Sequence, residues 1–325
     1  MYKRVKQFII ENNLLNMDSN NIGIGVSGGP DSIFLMYMLE KFREDTTLPH
    51  INLTVLHFNH KIRSESDMDE LFVKKTADAL SIKFYSESFD VPDFAKLKKL
   101  SLEDAARIKR YDFFKRATSQ FNLNSVAIAH TKNDVSETFL INLLRGSGLD
   151  GLSSMKVKRD FYIRPILFLT KEEILRFLNY HNIQFLTDKT NSNQSFLRNK
   201  IRLSLMDNLK MYNSNIVNTL YRENRLLNED CKFINDIAEE NFLYAASFID
   251  NSAVVDISRL SDYYAIRSRV ISKSIKKIGN SFYSLSYNNI KRIVDLTYKN
   301  KGEVFLRGIL RAYIKNGNLV IEALH

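Results

Sequence analysis

A glycine loop near the N-terminus contains residue types that can bind a phosphate and act on it. The stretch GIGVSGGPDS occupies residues 23–32, after a short apolar run and before an apolar helical pattern. Backbone N–H groups at the start of such a helix can hold phosphate oxygens, with the positive end of the helix dipole behind them. The loop therefore predicts a phosphate site formed by Ser27, Gly28, Gly29, Pro30, Asp31 and Ser32.

Asp31 is the unusual member of this loop. A carboxylate beside a polyphosphate is repulsive unless it holds Mg²⁺ or takes up a proton. We therefore interpret Asp31 as a catalytic residue that also binds magnesium. The alternative interpretation is that its charge only complements the dipole at the helix start.

Two other nucleotide-binding patterns fit these glycines less well. Gly23, Gly25 and Gly28 have the spacing of a dinucleotide fingerprint, but the second predicted strand ends in Asn59 and His60 rather than in the acidic residue that binds a ribose. A Walker A loop needs a Lys and a Ser or Thr after its glycines, and neither follows here. A nicotinamide oxidoreductase, a kinase or a GTPase is therefore disfavoured.

The segments around the loop alternate between short apolar strands and amphipathic helices. Strands are predicted at IGIGV, INLTVLHF, KFYSESF and SVAIAH, which are residues 22–26, 51–58, 83–89 and 125–130. Helices are predicted at residues 31–42, 101–121, 135–145 and 170–181, with Ser101 as an N-cap and Thr170 paired with Glu173 in a capping box. This alternation predicts the α/β class, with a Rossmann-like parallel sheet and helices on both faces.

The sequence pattern changes after about residue 211. Long helical periodicity replaces the strands, and Asn316-Gly317 between alternating apolar residues predicts a terminal β-hairpin. We therefore predict two domains. Residues 1–210 form the catalytic domain, and residues 211–325 form a mainly helical domain that ends in a small hairpin.

Composition limits the class of protein. The 325 residues contain no apolar stretch long enough for a signal sequence or a membrane span, which predicts a cytoplasmic protein without a membrane partner. The single cysteine, Cys231, can form neither a disulfide nor a cysteine-based metal cluster within one chain. His57, His60 and His130 lack the spacing of zinc ligands.

Positive charge is concentrated at the end of the chain. The net charge is +10, and residues 259–325 contain 13 Lys and Arg against 4 Asp and Glu. Aromatic residues are interleaved with these charges, and this combination suits phosphates and exposed bases better than a plain solvated face. The aromatic residues are Tyr263, Tyr264, Phe282, Tyr283, Tyr287, Tyr298 and Tyr313.

Six sequence blocks together resemble a known family. They are SGGPDS at 27–32, HFNHKIR at 57–63, SLEDAARIKRY at 101–111, AHTKNDVSETFLINLLRGSG at 129–148, IRPIL at 163–167 and DKTNSNQSFLRNKIR at 188–202. In this order they are similar to the bacterial tRNA(Ile)-lysidine synthetases, which are PP-loop ATP pyrophosphatases. The chain departs from the family pattern at Ile62, where Leu is usual, and at Asn133, where a second Asp is common.

The resemblance implies a two-step reaction. ATP, with Mg²⁺, adenylates the wobble cytidine of a CAU-anticodon isoleucine tRNA at C2 and releases pyrophosphate. The ε-amine of L-lysine then displaces AMP and gives lysidine. Asp31, Asp134 and Arg198 are the implied catalytic residues, residues 27–32 bind ATP, and Glu137 helps to hold the lysine ammonium.

The resemblance also implies residues that bind cytidine, lysine or tRNA. These residues are His57, Asn59, Arg63, Glu103, Arg107, Arg110, Glu137, Arg145, Asn199 and Arg202. For Asp134 and Glu137 the alternative is that they only occupy a helix start, where acids are favourable. For the pairs Arg107 and Arg110, and Arg198 and Arg202, the alternative is a surface salt bridge. Compared with the longest family members, we expect this chain to stop after one helical domain and its hairpin. The sequence leaves the oligomeric state open, a homodimer included.

Two rival functions differ from this one. Another PP-loop enzyme would adenylate a nucleobase or carboxylate and use ammonia or sulfur, but this sequence shows neither a glutaminase domain nor a cysteine pair. A non-catalytic RNA-binding protein would have a degenerate nucleotide loop, whereas Ser27 to Ser32 is intact here and Asp134 is present.

Overall fold

A computed structural model describes residues 1–16, 19–62, 65–187, 197–278, 286–306 and 310–324. The chain divides into two compact units, Met1–Arg225 and Leu226–His325. The division falls within one long helix, so the domain boundary at residue 210 stays a prediction. Among the described residues, no helix is both long enough and apolar enough to span a membrane.

In its described residues the first unit contains six strands, and its helices lie before, between and after them. In chain order the elements are α1 (Tyr2–Glu11), β1 (Ser19–Gly25), α2 (Pro30–Phe42), β2 (His50–Asn59), α3 (Ser66–Ala79), β3 (Lys83–Ser88), α4 (Val91–Lys98), α5 (Leu102–Gln120), β4 (Ser125–Ile128), α6 (Lys132–Leu144), α7 (Leu149–Leu152), β5 (Lys158–Arg159), β6 (Tyr162–Ile163), α8 (Lys171–Tyr180), α9 (Leu197–Lys200), a π-helical segment (Ile201–Leu205), α10 (Met206–Tyr212) and α11 (Ile216–Ala245), which continues into the second unit.

The six strands form one sheet in the order β3-β2-β1-β4-β6-β5. All neighbours are parallel except β5 and β6, which are antiparallel. The strand order reverses between β1 and β4, and ligands of such sheets bind in the crevice at the carboxyl ends of the strands on either side of that reversal. The glycine loop follows β1, and the start of α6 follows β4. The predicted phosphate-binding loop and the predicted carboxylates of α6 therefore both lie at this crevice.

Separate hydrophobic clusters cover the two faces of this sheet. One contains the apolar residues of α1, α2 and α8, and in α2 Ile33, Phe34, Leu35 and Met36 are completely buried. The other contains α4 and α5, with Phe113 buried at its centre. Helices on both faces of a mainly parallel sheet confirm the predicted fold class.

In its described residues the second unit combines the end of α11 and two further α-helices with a small antiparallel sheet. Its further elements are β7 (Ala246–Ile249), β8 (Ser252–Asp256), α12 (Tyr264–Ile278), α13 (Tyr287–Lys299), β9 (Glu303–Leu306), β10 (Leu310–Lys315) and β11 (Asn318–Ala323). The sheet order is β7-β8-β11-β10-β9. The predicted hairpin is present, with Lys315 paired to Asn318 and positive φ at both Asn316 and Gly317. It belongs to a five-stranded sheet, of which β7 and β8 fall outside the predicted strands.

Candidate active site

The glycine loop is a tight turn between β1 and α2. Gly28 has a φ of +87°, and its carbonyl accepts a hydrogen bond of 2.9 Å from the backbone N–H of Leu186. The Ser32 hydroxyl donates to the Gly29 carbonyl at 2.9 Å and accepts from the Ser27 N–H at 3.2 Å. Because the N-cap of α2 is Gly29, no side chain at that position caps the first N–H groups of the helix, which suits an anion.

Gly28→Ala is expected to lower the free energy of unfolding by about 1–2 kcal/mol, because an L-residue is disfavoured at positive φ. A Cβ at this position would lie 2.6 Å from Cδ1 of Leu186, which can rotate away, so the backbone conformation dominates. We also expect weaker ATP binding, since the turn would open. Chemical denaturation and ATP titration measure the two effects.

Gly29→Ala is the matched control for stability. Gly29 lies at a φ of −71°, and its added Cβ would meet only the Ser27 hydroxyl at 3.6 Å. Its free energy of unfolding should change by less than about 0.5 kcal/mol. Equal destabilisation of the two variants would contradict this view of the loop.

Asp31 occupies the first turn of α2 with an unsatisfied carboxylate. Its Oδ1 is buried and has no hydrogen-bond partner among the described residues. Burial raises the pKa of Asp31 to about 6, although Lys171 opposes the shift. A buried carboxylate oxygen without a donor fits a cation ligand.

Magnesium is compatible with this oxygen but would need further ligands. In the described part of the chain, no group of three or more His, Cys, Asp or Glu residues could hold a metal. Mg²⁺ in nucleotide sites is commonly held by one or two carboxylates together with phosphate oxygens and water. Asp31 therefore fits a magnesium ion that arrives with ATP.

Asp134 lies at the start of α6, where it caps its own helix. Its Oδ2 accepts hydrogen bonds from the backbone N–H and the hydroxyl of Thr131, at 2.9 and 2.8 Å. Its Oδ1 accepts a bond of 3.0 Å from Nη2 of Arg198. Burial alone would raise the pKa of Asp134, but Lys171, His130, Arg198 and the Thr131 N–H outweigh it and hold that pKa well below the usual range.

Glu137 follows one turn later and is bound by two arginines. Its side chain is 3% exposed. Oε2 accepts from Nε of Arg198 at 2.8 Å and from Nη2 of Arg202 at 3.0 Å, while Oε1 accepts from Nε of Arg202 at 2.7 Å. The structure thus joins Asp134, Glu137, Arg198 and Arg202 in one ion cluster, in which both acids are buried and both arginines are half-buried, as opposed to surface salt bridges.

An irregular helix places the two arginines. Arg198 lies in α9, and Arg202 lies in the π-helical segment that directly follows. Single π-helical turns within helices recur at functional sites. Asn199 lies between these two residues, and all three are in the described part of the last matching block.

Two predicted substrate-binding residues have hydrogen-bond partners within the chain. His57 is buried, and its Nδ1 lies 2.9 Å from the Val26 carbonyl, where it donates. The side-chain amide of Asn59 is buried and donates to Asp67 and Glu70 at 2.8 and 2.9 Å. Both residues therefore help to fix the carboxyl end of β2, and their part in substrate binding stays a prediction. Arg63 lies outside the described residues.

The predicted site residues of α5 differ in exposure and in contacts. Glu103 and Arg107 are exposed, and the Arg107 guanidinium stacks over the Tyr111 ring at 5.1 Å. Arg110 is half-buried and close enough to His60 to influence it. Burial, and to a smaller extent the positive charge of Arg110, lowers the pKa of His60 to about 4. Arg145 is exposed and caps the end of α6.

Sequence reasoning missed Arg164 and Lys171. Arg164 is buried, and its Nε donates to Nδ1 of His130 at 2.9 Å. Burial lowers the pKa of His130 to about 3, so the imidazole is neutral.

Lys171 is the first residue of α8, and its charge lowers the pKa of both Asp31 and Asp134. A cation at a helix N-terminus opposes the dipole, and that mismatch is the signal that could have identified Lys171.

The fold and the loop define a class of protein. A family model described as a PP-loop domain matches residues 1–209. The solved U34-tRNA thiolase NcsA from Methanococcus maripaludis has a similar fold, with a TM-score of 0.57 over 69% of this chain and 78% of that chain at 19% identity. The first unit is therefore a PP-loop domain, which implies the use of ATP.

The sequence relatives define the family. A tRNA(Ile)-lysidine synthase from Clostridium acetobutylicum is 32% identical over 317 residues, which cover 96% of this chain and 68% of the relative. One from Caldanaerobacter subterraneus subsp. tengcongensis is 31% identical over 99% of this chain and 69% of its own length. The chain belongs to the tRNA(Ile)-lysidine synthase family. It spans about two thirds of the length of these relatives.

Proposed function

We propose that this protein ligates L-lysine to C2 of the wobble cytidine in a CAU-anticodon isoleucine tRNA, with ATP as the energy source. The observation that carries the proposal is the arrangement of Asp31 beside the ion cluster of Asp134, Glu137, Arg198 and Arg202. Asp134, Arg202 and Glu137 are close enough to Asp31 for their charges to shift its pKa. A phosphate loop beside acidic and guanidinium groups supports both halves of the reaction.

The first half makes a leaving group. The C2 carbonyl of cytosine is urea-like and resists attack by an amine, so its oxygen attacks the α-phosphorus of ATP. The bond from that phosphorus to the bridging oxygen breaks, and pyrophosphate leaves with the electron pair. The N–H groups of the 27–32 loop bind the phosphates, and Asp31 would hold Mg²⁺. The metal would supply charge neutralisation on the phosphate oxygens.

The second half needs a proton acceptor. The lysine ε-amine has an ordinary pKa near 10.4 and must lose a proton to attack C2. Asp134 is a poor base, because its pKa is held well below the usual range. Asp31, whose pKa is about 6 when no metal is bound, is the better acceptor, so we assign it the proton that leaves the amine in this second half, after pyrophosphate has left. AMP leaves as the new C–N bond forms.

Arg198 positions the acids and can also contact the nucleotide. Its bonds to Asp134 and Glu137 use two N–H groups of the five that a guanidinium carries. We propose that a remaining donor binds the α-phosphate of ATP and then the departing AMP. Glu137 and Asp134, held by the arginines, bind the lysine ammonium through their remaining lone pairs.

The second unit supports the tRNA part of the proposal. Residues 259–325 carry 13 basic against 4 acidic residues. Tyr263 and Tyr287 are 77% and 67% exposed on this unit, so their rings are available for stacking beside the positive charge. We propose that the second unit contacts the tRNA body and that the protein works in the cytoplasm.

Lysine incorporation tests this function directly. Labelled lysine, ATP and a CAU-anticodon isoleucine tRNA transcript should give ATP-dependent label that resists ester hydrolysis. A transcript with uridine at the wobble position is the control and should stay unlabelled. If pyrophosphate is released without label, the lysine assignment is wrong; if neither occurs, the protein is not a synthetase of this kind.

A further inference from the structure

We propose that Lys171 is a phosphate-binding residue of the active site, which holds the β- and γ-phosphates of ATP and the pyrophosphate that leaves. The inference rests on the proposed function, since it requires ATP to be cleaved between its α- and β-phosphates. It assigns a role to a side chain that lies in none of the six matching blocks.

Backbone contacts fix Lys171 beside the catalytic carboxylates. The N–H of Lys171 donates to Oδ1 of Asn133 at 3.0 Å, and the N–H of Lys132 donates to the Leu169 carbonyl at 2.9 Å. These two bonds tie the starts of α6 and α8 together. Asp134 directly follows Asn133, so Lys171 and Asp134 occupy neighbouring helix starts.

Packing brings the same lysine towards the glycine loop. Helix α8 lies against α2 through Phe177 and the completely buried Phe34, whose rings meet edge to face with centroids 5.1 Å apart. Among the charged groups that lower the pKa of Asp31, Lys171 has the largest effect, and the same holds for Asp134. The ammonium of Lys171 therefore lies near both carboxylates.

The position of Lys171 has no structural explanation in the fold itself. A cation in the first turn of a helix is disfavoured by the dipole, and Glu172 and Glu173 already provide the favourable charge in α8. Within the described residues, no hydrogen bond or ion pair joins Nζ of Lys171 to another side chain. A half-buried lysine in such a place implies an anionic ligand.

Lys132 shows what a structural lysine looks like in the equivalent position. It is the first residue of α6, and its Nζ donates to Oδ1 of Asn218 at 2.7 Å and lies 5.2 Å from the centre of the Tyr221 ring. The ammonium of Lys132 therefore already has partners within the protein. Lys171 has no such partners among the described residues.

Charge balance explains why the site needs this lysine. Arg198 and Arg202 are bound to Asp134 and Glu137, and Asp31 adds a third carboxylate. With Lys171, these six side chains carry equal numbers of acids and bases. Without it, a net negative charge would face the polyphosphate. During adenylation, negative charge collects on the oxygen that bridges the α- and β-phosphates, and the ammonium offsets that charge.

The test compares three variants of the full chain with inorganic pyrophosphate as the probe. Lys171→Gln should weaken pyrophosphate binding and raise KM for ATP, each at least about tenfold, as expected for one charge-assisted hydrogen bond. AMP, which lacks the β- and γ-phosphates, should bind with its affinity changed less than about twofold. Lys171→Arg should recover most of the pyrophosphate affinity, and Lys132→Gln should leave it unchanged.

Each outcome decides the proposal. Wild-type pyrophosphate affinity in Lys171→Gln would overturn it, and an equal loss of AMP and pyrophosphate affinity would show a purely structural role. If wild-type protein binds pyrophosphate in a Lys171-dependent way but releases none from ATP with tRNA and lysine, the phosphate site stands and the proposed function fails.

Discussion

Asp31→Asn is expected to abolish lysine transfer while it makes the protein more stable at neutral pH. Loss of the magnesium ligand and proton acceptor should lower kcat by about a thousandfold. The gain in stability follows from the pKa of Asp31, which burial raises to about 6 from an ordinary value near 3.9. The folded protein therefore binds this proton more tightly than the unfolded chain does.

The sign of the pH dependence follows from that difference. As pH rises from about 4 to 6, the unfolded chain loses the proton first, so this residue progressively destabilises the fold, by up to about 3 kcal/mol above pH 6. The Asp31→Asn variant has no carboxylate at this position and is therefore not destabilised in this way. Its free energy of unfolding should exceed that of the wild type by about 1–3 kcal/mol at pH 7.5 and converge with it near pH 4.

Urea denaturation between pH 4 and pH 8, without nucleotide or divalent metal, measures the effect. Glu44→Gln, which removes an exposed acid in the loop after α2, is the matched control and should leave the difference between pH 4 and pH 7.5 as in the wild type. An Asn variant that is less stable at pH 7.5 would contradict the burial of an unsatisfied Asp31 carboxylate. One that retains lysine transfer would contradict its catalytic role.

Local sequence patterns were sufficient to predict where helices α5 and α8 begin. Ser101 accepts from the Asp104 N–H at 3.1 Å, and Thr170 and Glu173 form the predicted capping box. Such signals depend on neighbours within one turn, so a single sequence contains them. The same is true of the Asn316-Gly317 turn.

Long-range partners were beyond the sequence. The spacing of Arg198 and Arg202 placed them on one helical face, but their acceptor, Glu137, is about sixty residues away and was not predictable from periodicity. Likewise, β5 and β6 are two residues each and exist only because the sheet edge pairs them. The hydrogen-bond acceptors of His57 and Asn59 were beyond the sequence for the same reason, since burial and long-range contacts depend on tertiary packing.

Glu137→Gln is expected to have the second large effect, on both stability and turnover. The substitution removes the charge that compensates Arg198 and Arg202 and places an amide N–H₂ against guanidinium donors. Breaking a buried ion pair of this kind costs about 3 kcal/mol of unfolding free energy. The displaced arginines should also lower kcat/KM for lysine by at least about a hundredfold, because the reacting groups lose their alignment.

A surface pair of the same residue types provides the control. Glu172 and Arg176 lie 3.8 Å apart, and both side chains are more than three quarters exposed. Glu172→Gln should change the free energy of unfolding by less than about 0.5 kcal/mol.

A double-mutant cycle of Glu137→Gln with Arg202→Gln then isolates the buried contact. Because Arg202 donates to both oxygens of Glu137, the two substitutions should be non-additive by about 1–3 kcal/mol. Urea denaturation of the four proteins measures this coupling. Additive effects would mean that Glu137 and Arg202 do not interact in solution. In that case the ion cluster would not position the acids that bind the lysine ammonium.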